Sequence, residues 1–266
     1  MTESAVLFEK VGKTAVITLN RPQKKNALDD SIAEGLSAAI AQARGDASVK
    51  SVVLIGAGGA FCSGADLAPG TQPDDKAFFG RDTVLTHQRW LSELITLEKP
   101  VISAVDGAAV GAGFGLALAA DFVFMTPRAR FMPTFLSLGL VPDLSLLYVV
   151  PRLVGLAKAK EIFFSARPIG AEQALSLGLA QAVVPAESLL EEALQYARQF
   201  DGASTRALGL AKSLLNRSFE TDRNAMVHLE AMAQSLCAAG NDHAEAVRRF
   251  LAKEGMAYTG AVLPSN

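Results

Sequence analysis

Val101-Ile-Ser-Ala-Val105 runs straight into Asp106-Gly-Ala-Ala-Val-Gly-Ala-Gly-Phe-Gly115, and Leu116-Ala-Leu-Ala-Ala120 then continues with a helical composition. A short apolar run bounded by glycines reads as a buried strand that closes in a tight loop. Upstream, Ser51-Val-Val-Leu-Ile55 does the same, entering Gly56-Ala-Gly-Gly-Ala-Phe-Cys-Ser-Gly64. Each loop is read as poised to start a helix. A helix N-terminus offers unpaired N–H groups and the positive end of a dipole, so two such loops face to face could hold a developing oxyanion.

Outward from these loops, elements of both kinds alternate. Thr14–Leu19 reads as a strand, broken by Asn20-Arg-Pro22 before a lysine-bearing loop. A helix is expected from near Asp30 to Gly45, with Ser31 and Glu34 as a capping box and Ile32, Leu36, Ala39 and Ile40 on its apolar face. Pro69–Gly80 is polar and reads as a mobile loop over a site, followed by a helix through Trp90 and Leu94. Phe122–Met125 reads as a further strand, and Leu153–Phe164, Ala171–Leu177 and Glu187–Phe200 alternate with short apolar pieces. The alternation predicts an α/β fold, with a core over residues 1–200 and a helical region over 201–266.

The chain has 266 residues, half of them hydrophobic, with a formal net charge of −2. That supports a sizeable core and gives no basic stripe for nucleic acid. Glu3 and Glu9 interrupt the N-terminus, which lacks the pattern of a signal peptide, so a cytoplasmic location is expected. Asp106, Asp121 and the glycines break the most apolar stretch, so no membrane span is expected. Cys62 and Cys237, with His87, His228 and His243, lack ligand-like spacing; free thiols and no metal site are expected.

Phosphate chemistry fits the loops poorly. Gly58–Asp66 lacks the Gly-Lys-Ser/Thr ending of a P-loop, and Gly111, Gly113 and Gly115 lack both the dinucleotide spacing and an acidic partner downstream. The larger pattern resembles the enoyl-CoA hydratase/isomerase, or crotonase, family. The matching pieces are Thr18-Leu-Asn-Arg-Pro-Gln-Lys-Lys-Asn-Ala-Leu28, Gly59-Ala-Phe-Cys-Ser-Gly-Ala-Asp-Leu67, Lys99-Pro-Val-Ile-Ser-Ala-Val-Asp-Gly107, Gly111-Ala-Gly-Phe-Gly-Leu-Ala-Leu-Ala-Ala-Asp121 and Leu138-Gly-Leu-Val-Pro-Asp143.

The resemblance implies a crotonase-like spiral of ββα units with a C-terminal helical trimerisation region, assembled as a homotrimer or a dimer of trimers. It implies that the N–H groups of Ala65 and Ala112 hold the thioester oxygen of an acyl-CoA. Lys24, Lys25 and Ala27 would line one side of the coenzyme A groove. Ser63, Gly64, Ala65, Asp66 and Leu67 would line the other, with Gly111 and Phe135 also at the substrate. Coenzyme A enters as part of the substrate, and no separate cofactor is expected.

Family hydratases use two glutamates, and their positions fall here on Gly115 and Phe135, neither of which can move a proton. Asp143 stands instead where isomerase-type members carry an acid. Ring-modified phenylacetate isomerases resemble Gly139–Asp143 and Pro151–Gly155. Apolar neighbours Val141, Pro142, Leu144, Leu146 and Leu147 should desolvate Asp143 and raise its pKa. The expected function is therefore enoyl-CoA double-bond isomerisation, in fatty-acid or aromatic-acid catabolism. The alternatives are a hydratase with atypical residues, a weakly catalytic acyl-CoA binding protein, a dehalogenase using Asp143 with His87, and a plain helix cap at Asp143. Asp66 and Asp121 read as braces of the framework.

Overall fold

The computed structural model describes residues 4–66 and 76–264. Its strands and helices form one six-stranded sheet, a small three-stranded sheet and ten helices among these residues. Strands β1 (Val6–Val11) and β2 (Thr14–Leu19) form an antiparallel hairpin, and helix α1 (Asp30–Gly45) leads into β3 (Ser51–Gly56). Helix α2 (Lys76–Ile95) precedes β4 (Val101–Val105), β5 (Ala108–Val110), α3 (Ala112–Leu118), β6 (Phe122–Met125) and β7 (Arg130–Met132). Then come α4 (Leu146–Val154), α5 (Leu156–Ser165), β8 (Ile169–Gly170), α6 (Ala171–Ser176), β9 (Ala182–Val183) and α7 (Leu189–Arg198). Helices α8 (Thr205–Leu215), α9 (Arg223–Ala238) and α10 (Asn241–Leu251) end the series.

The large sheet has the order β1-β2-β3-β4-β6-β9, parallel from β2 onward. Parallel strands are buried on both faces, which is why they read as unbroken apolar runs. Side chains alternate between those faces. Val52 and Leu54 join the core beneath α1 and α3, whereas Val53 joins Ile102, Phe124 and Tyr196 on the side covered by α7. The small sheet, β5-β7-β8, takes the chain away from the large one just after Val105.

The α/β expectation holds, and several details differ. The cap of α1 is Asp29, whose carboxylate accepts from the Ile32 N–H, while Ser31 donates to Asp29 in place of making a capping box. Of the predicted loop Pro69–Gly80, residues 69–75 lie outside the described residues, and Lys76–Gly80 is the first turn of α2. The element expected over Leu153–Phe164 is two helices broken at Gly155, where φ is +78°. Trp90 and Phe114 are core, with Phe114 stacked on Phe131 at 4.5 Å.

Asp121 is a brace: its carboxylate accepts from the Val101 N–H and from Lys212 Nζ at 2.7 Å, fastening α8 to the sheet. Helices α9 and α10 carry no buried residue and expose Met232, Leu236, Phe250 and Leu251. No helix among the described residues is long and apolar enough to cross a membrane.

Candidate active site

Because β3 and β4 are adjacent and parallel, the two glycine loops leave the same edge of the sheet side by side. Ligand sites in open α/β sheets form at such carboxyl edges. The first loop then follows β5: Cys62 donates to the Ala108 carbonyl, and the Val110 N–H returns a bond to Cys62. Gly64 reaches the second loop, where a Cβ on it would stand 2.7 Å from Val110 O and 3.6 Å from Ala112 N.

The N–H groups of Ala65 and Ala112 have no backbone acceptor among the described residues. Ala112 opens α3, as the glycine loop predicts. Ala65 differs. It pairs with Leu28 in an isolated parallel bridge, and no helix among the described residues directly follows it. Among the described residues, the helix dipole therefore acts on the site from the Ala112 side.

The other expected groove residues meet this edge. Ser63 N donates to Lys25 O and its hydroxyl to Lys24 O, while Leu28 N donates to Gly64 O and Asp66 N to Leu28 O. Lys24 and Lys25 are exposed and Ala27 is buried. Asp66 braces the turn through Arg21, whose guanidinium also pairs with Asp29 and donates to Ala27 O. Leu67 lies outside the described residues. Phe135 is buried with its ring 3.7 Å from where a Gly111 Cβ would be, beside the residue that precedes Ala112.

Asp143 arrives from the segment between β7 and α4. Leu144 and Ser145, which follow it, both have positive φ, +44° and +64°. Neither is a residue that adopts this region cheaply. Their conformation lowers Leu144 onto α3, where a Cβ on Gly115 would stand 2.7 Å from Leu144 Cβ and 2.8 Å from Leu144 O. The space in which a glutamate at 115 would begin is thus occupied by the residue that carries Asp143. The cap of α4 is Ser145 and not Asp143. Asp143 Oδ1 is buried with no hydrogen-bond partner, and burial pushes the carboxyl above its ordinary value of 3.8. Buried polar atoms are almost always paired, so an orphan oxygen calls for a reason.

His87 is engaged by a residue of its own helix. Its Nδ1 accepts from the Trp90 indole at 3.2 Å, and burial lowers its pKa, which keeps it neutral. Asn26 was not anticipated: buried, at φ +56°, it donates to Ala57 O and Ala60 O and accepts from Arg21 N, tying the two halves of the first loop together. An asparagine after two lysines in a turn was the available signal, since asparagine tolerates positive φ.

Gly113 shows how tightly the loops are joined. A Cβ there would stand 2.4 Å from the Cys62 carbonyl oxygen. Gly113→Ala is expected to spread the Ala65 and Ala112 amides, costing about 1–3 kcal/mol of stability by overpacking. Turnover should fall further than melting temperature explains, as read from kcat at a temperature where the variant is fully folded.

The chain is similar to known proteins along nearly its whole length. The family described as Enoyl-CoA hydratase/isomerase matches residues 9–261. A 1,2-epoxyphenylacetyl-CoA isomerase of Escherichia coli is 34% identical, over 92% of this chain and 94% of its own. A short-chain-enoyl-CoA hydratase of Clostridium acetobutylicum is 32% identical, over 93% and 95%. The crystal structure of an enoyl-CoA hydratase/isomerase from Cupriavidus metallidurans superposes with a TM-score of 0.92 at 36% identity, covering all of both chains.

Proposed function

Because the chain belongs to the enoyl-CoA hydratase/isomerase family, and is an acyl-CoA thioester enzyme of the crotonase fold, we propose that it moves a double bond in an enoyl-CoA with Asp143 as the single acid/base. The observation that carries the reading is the orphaned, buried Asp143 carboxyl oxygen, in a segment seated where the first hydratase glutamate would need to start.

In this mechanism the thioester oxygen accepts hydrogen bonds from the Ala65 and Ala112 amides. The Asp143 carboxylate takes a proton from C2 of a 3-enoyl thioester, and the C–H electron pair moves into a dienolate whose charge rests on the thioester oxygen. Each preorganised donor is worth about 3 kcal/mol to that charge. The same carboxyl, now protonated, returns its proton at C4, and the double bond comes to rest between C2 and C3. A carboxyl raised by burial suits both halves of the cycle, since it is more basic as carboxylate than an exposed one.

Lys24, Lys25, Ala27, Ser63, Gly64 and Asp66 line the coenzyme A groove in this reading, and Gly111 and Phe135 wall the acyl end. The exposed apolar residues of α9 and α10 support a homotrimer or dimer of trimers, with this region as the contact. A cytoplasmic location accompanies the reading. The test is product identity: 3-enoyl thioesters should give the conjugated 2-enoyl product, and 2-enoyl thioesters should give no 3-hydroxyacyl product. Steady hydration of a 2-enoyl thioester would replace this proposal with an atypical hydratase.

A further inference from the structure

Helix α2 touches the strained segment at one polar point. Gln88 Nε2 donates to Ser145 Oγ at 2.6 Å, across 57 residues of chain. Ser145 is the cap residue of α4, where a serine hydroxyl ordinarily accepts from the N–H groups of the first turn. Here it makes no such bond. The Ser145 carbonyl accepts from Tyr148 and Val149, and the hydroxyl is turned sideways to Gln88.

Asp143, Leu144 and Ser145 form one short unit. The Asp143 carbonyl accepts from the Leu146 N–H, two positive-φ residues follow the aspartate, and Leu144 rests on Gly115. Gly115 limits how deep the unit can sit, Leu144 and Leu146 are buried in the core, and the Gln88 hydrogen bond is what holds the Ser145 hydroxyl. Left free, residues at positive φ relax toward ordinary backbone, because that conformation is costly for side chains other than glycine. A hydrogen bond from a rigid helix removes the freedom.

We propose that Gln88 is a positioning residue for the reaction, holding Asp143 at its working orientation through Ser145. The proposal rests on the reading of Asp143 as the acid/base. It assigns to an ordinary glutamine on a helix, remote in sequence from both glycine loops, a part in setting the rate of proton transfer.

The experiment compares Gln88→Leu, Ser145→Gly, the double variant and Asp143→Asn in the full chain. Isomerisation of a 3-enoyl-CoA thioester gives kcat and KM, and thermal melting follows the fold. Leucine is a good helix former, and glycine is favoured at the φ of Ser145, so neither change should lower the melting point appreciably. Gln88→Leu and Ser145→Gly are each expected to lose about 10- to 100-fold in kcat, as small misplacements of a catalytic group do, with KM unchanged. The double variant should be no slower than the worse single, because both act through one contact. If Asp143→Asn is inactive while Gln88→Leu and Ser145→Gly turn over like wild type, the positioning role is wrong and the acid/base reading stands. Losses that multiply in the double variant, or that follow melting temperature, also overturn it. If Asp143→Asn stays active, the underlying reading fails first.

Discussion

Asp143→Asn is expected to slow double-bond migration by about 10²- to 10⁴-fold while leaving thioester affinity nearly intact, the range ascribed to a positioned acid/base. Asparagine keeps the shape of the side chain and cannot carry the proton. In the wild type, kcat/KM should rise with pH along an acidic limb lying above the ordinary carboxylate value of 3.8, because burial raises Asp143. The same shift has a consequence for stability. A carboxyl whose folded pKa exceeds its unfolded one binds its proton more tightly when folded, so folding carries no penalty below the unfolded value. The penalty grows as pH rises and is complete above the folded value. Asp143→Asn should therefore melt higher than wild type at pH 7–8, by about 2–4 °C for each kcal/mol recovered. The difference should vanish in acid. Loss of activity without that gain would mean that the carboxyl is not held desolvated.

Ala112→Pro is expected to lower kcat by about 10²- to 10³-fold, the usual cost of losing one oxyanion donor. Ala112 is the first residue of α3, and its N–H has no acceptor among the described residues. Proline is tolerated at the first helical position because that N–H makes no helical bond and φ is already suited to the ring. The substitution removes the donor and sets the ring Cδ where the N–H pointed, so a loss of at least this size is expected. Ala112→Gly keeps the donor and should keep most of the activity. Turnover assays with melting curves on both variants check this; near-wild-type turnover by a folded Ala112→Pro protein would take the Ala112 amide out of the mechanism.

Which parts of this could be read in the sequence follows from what sets each feature. The central strands were legible because strands buried on both faces must be apolar throughout, as Val101–Val105 is. Strand β1 was not. It is an edge strand with Glu9 and Lys10 exposed, so its composition resembles a loop. Strands β5, β7 and β8, three residues or fewer, are defined by their partners and carry little pattern of their own. The glycine loops were legible as a pair, and their adjacency followed once β3 and β4 paired.

Asp143 was reachable through the resemblance; of the apolar neighbours read as its cover, Leu144 and Leu146 are buried, whereas Val141 and Leu147 are exposed. The setting of Asp143 was not reachable, because a leucine and a serine adopt positive φ only under tertiary contacts. Those contacts are Gly115 beneath Leu144 and Gln88 beside Ser145. A hydrogen bond between two common polar residues 57 apart leaves no local trace. The missed first helix cap has a simpler origin: Asp29 and Ser31 are both good caps, and the backbone used the one that put Ile32, Leu36 and Ile40 into the core.

The most direct test of the central claim is to incubate the wild-type enzyme with a 3-enoyl-CoA thioester in heavy water and locate deuterium by NMR and mass spectrometry. Proton transfer through Asp143 against the Ala65 and Ala112 amides predicts a conjugated 2-enoyl product and no 3-hydroxyacyl thioester, with deuterium at C2 or C4 to the extent that the protonated carboxyl exchanges with solvent before it returns its proton. Addition of water across the double bond, or recovery of the substrate with neither exchange nor migration, would contradict it.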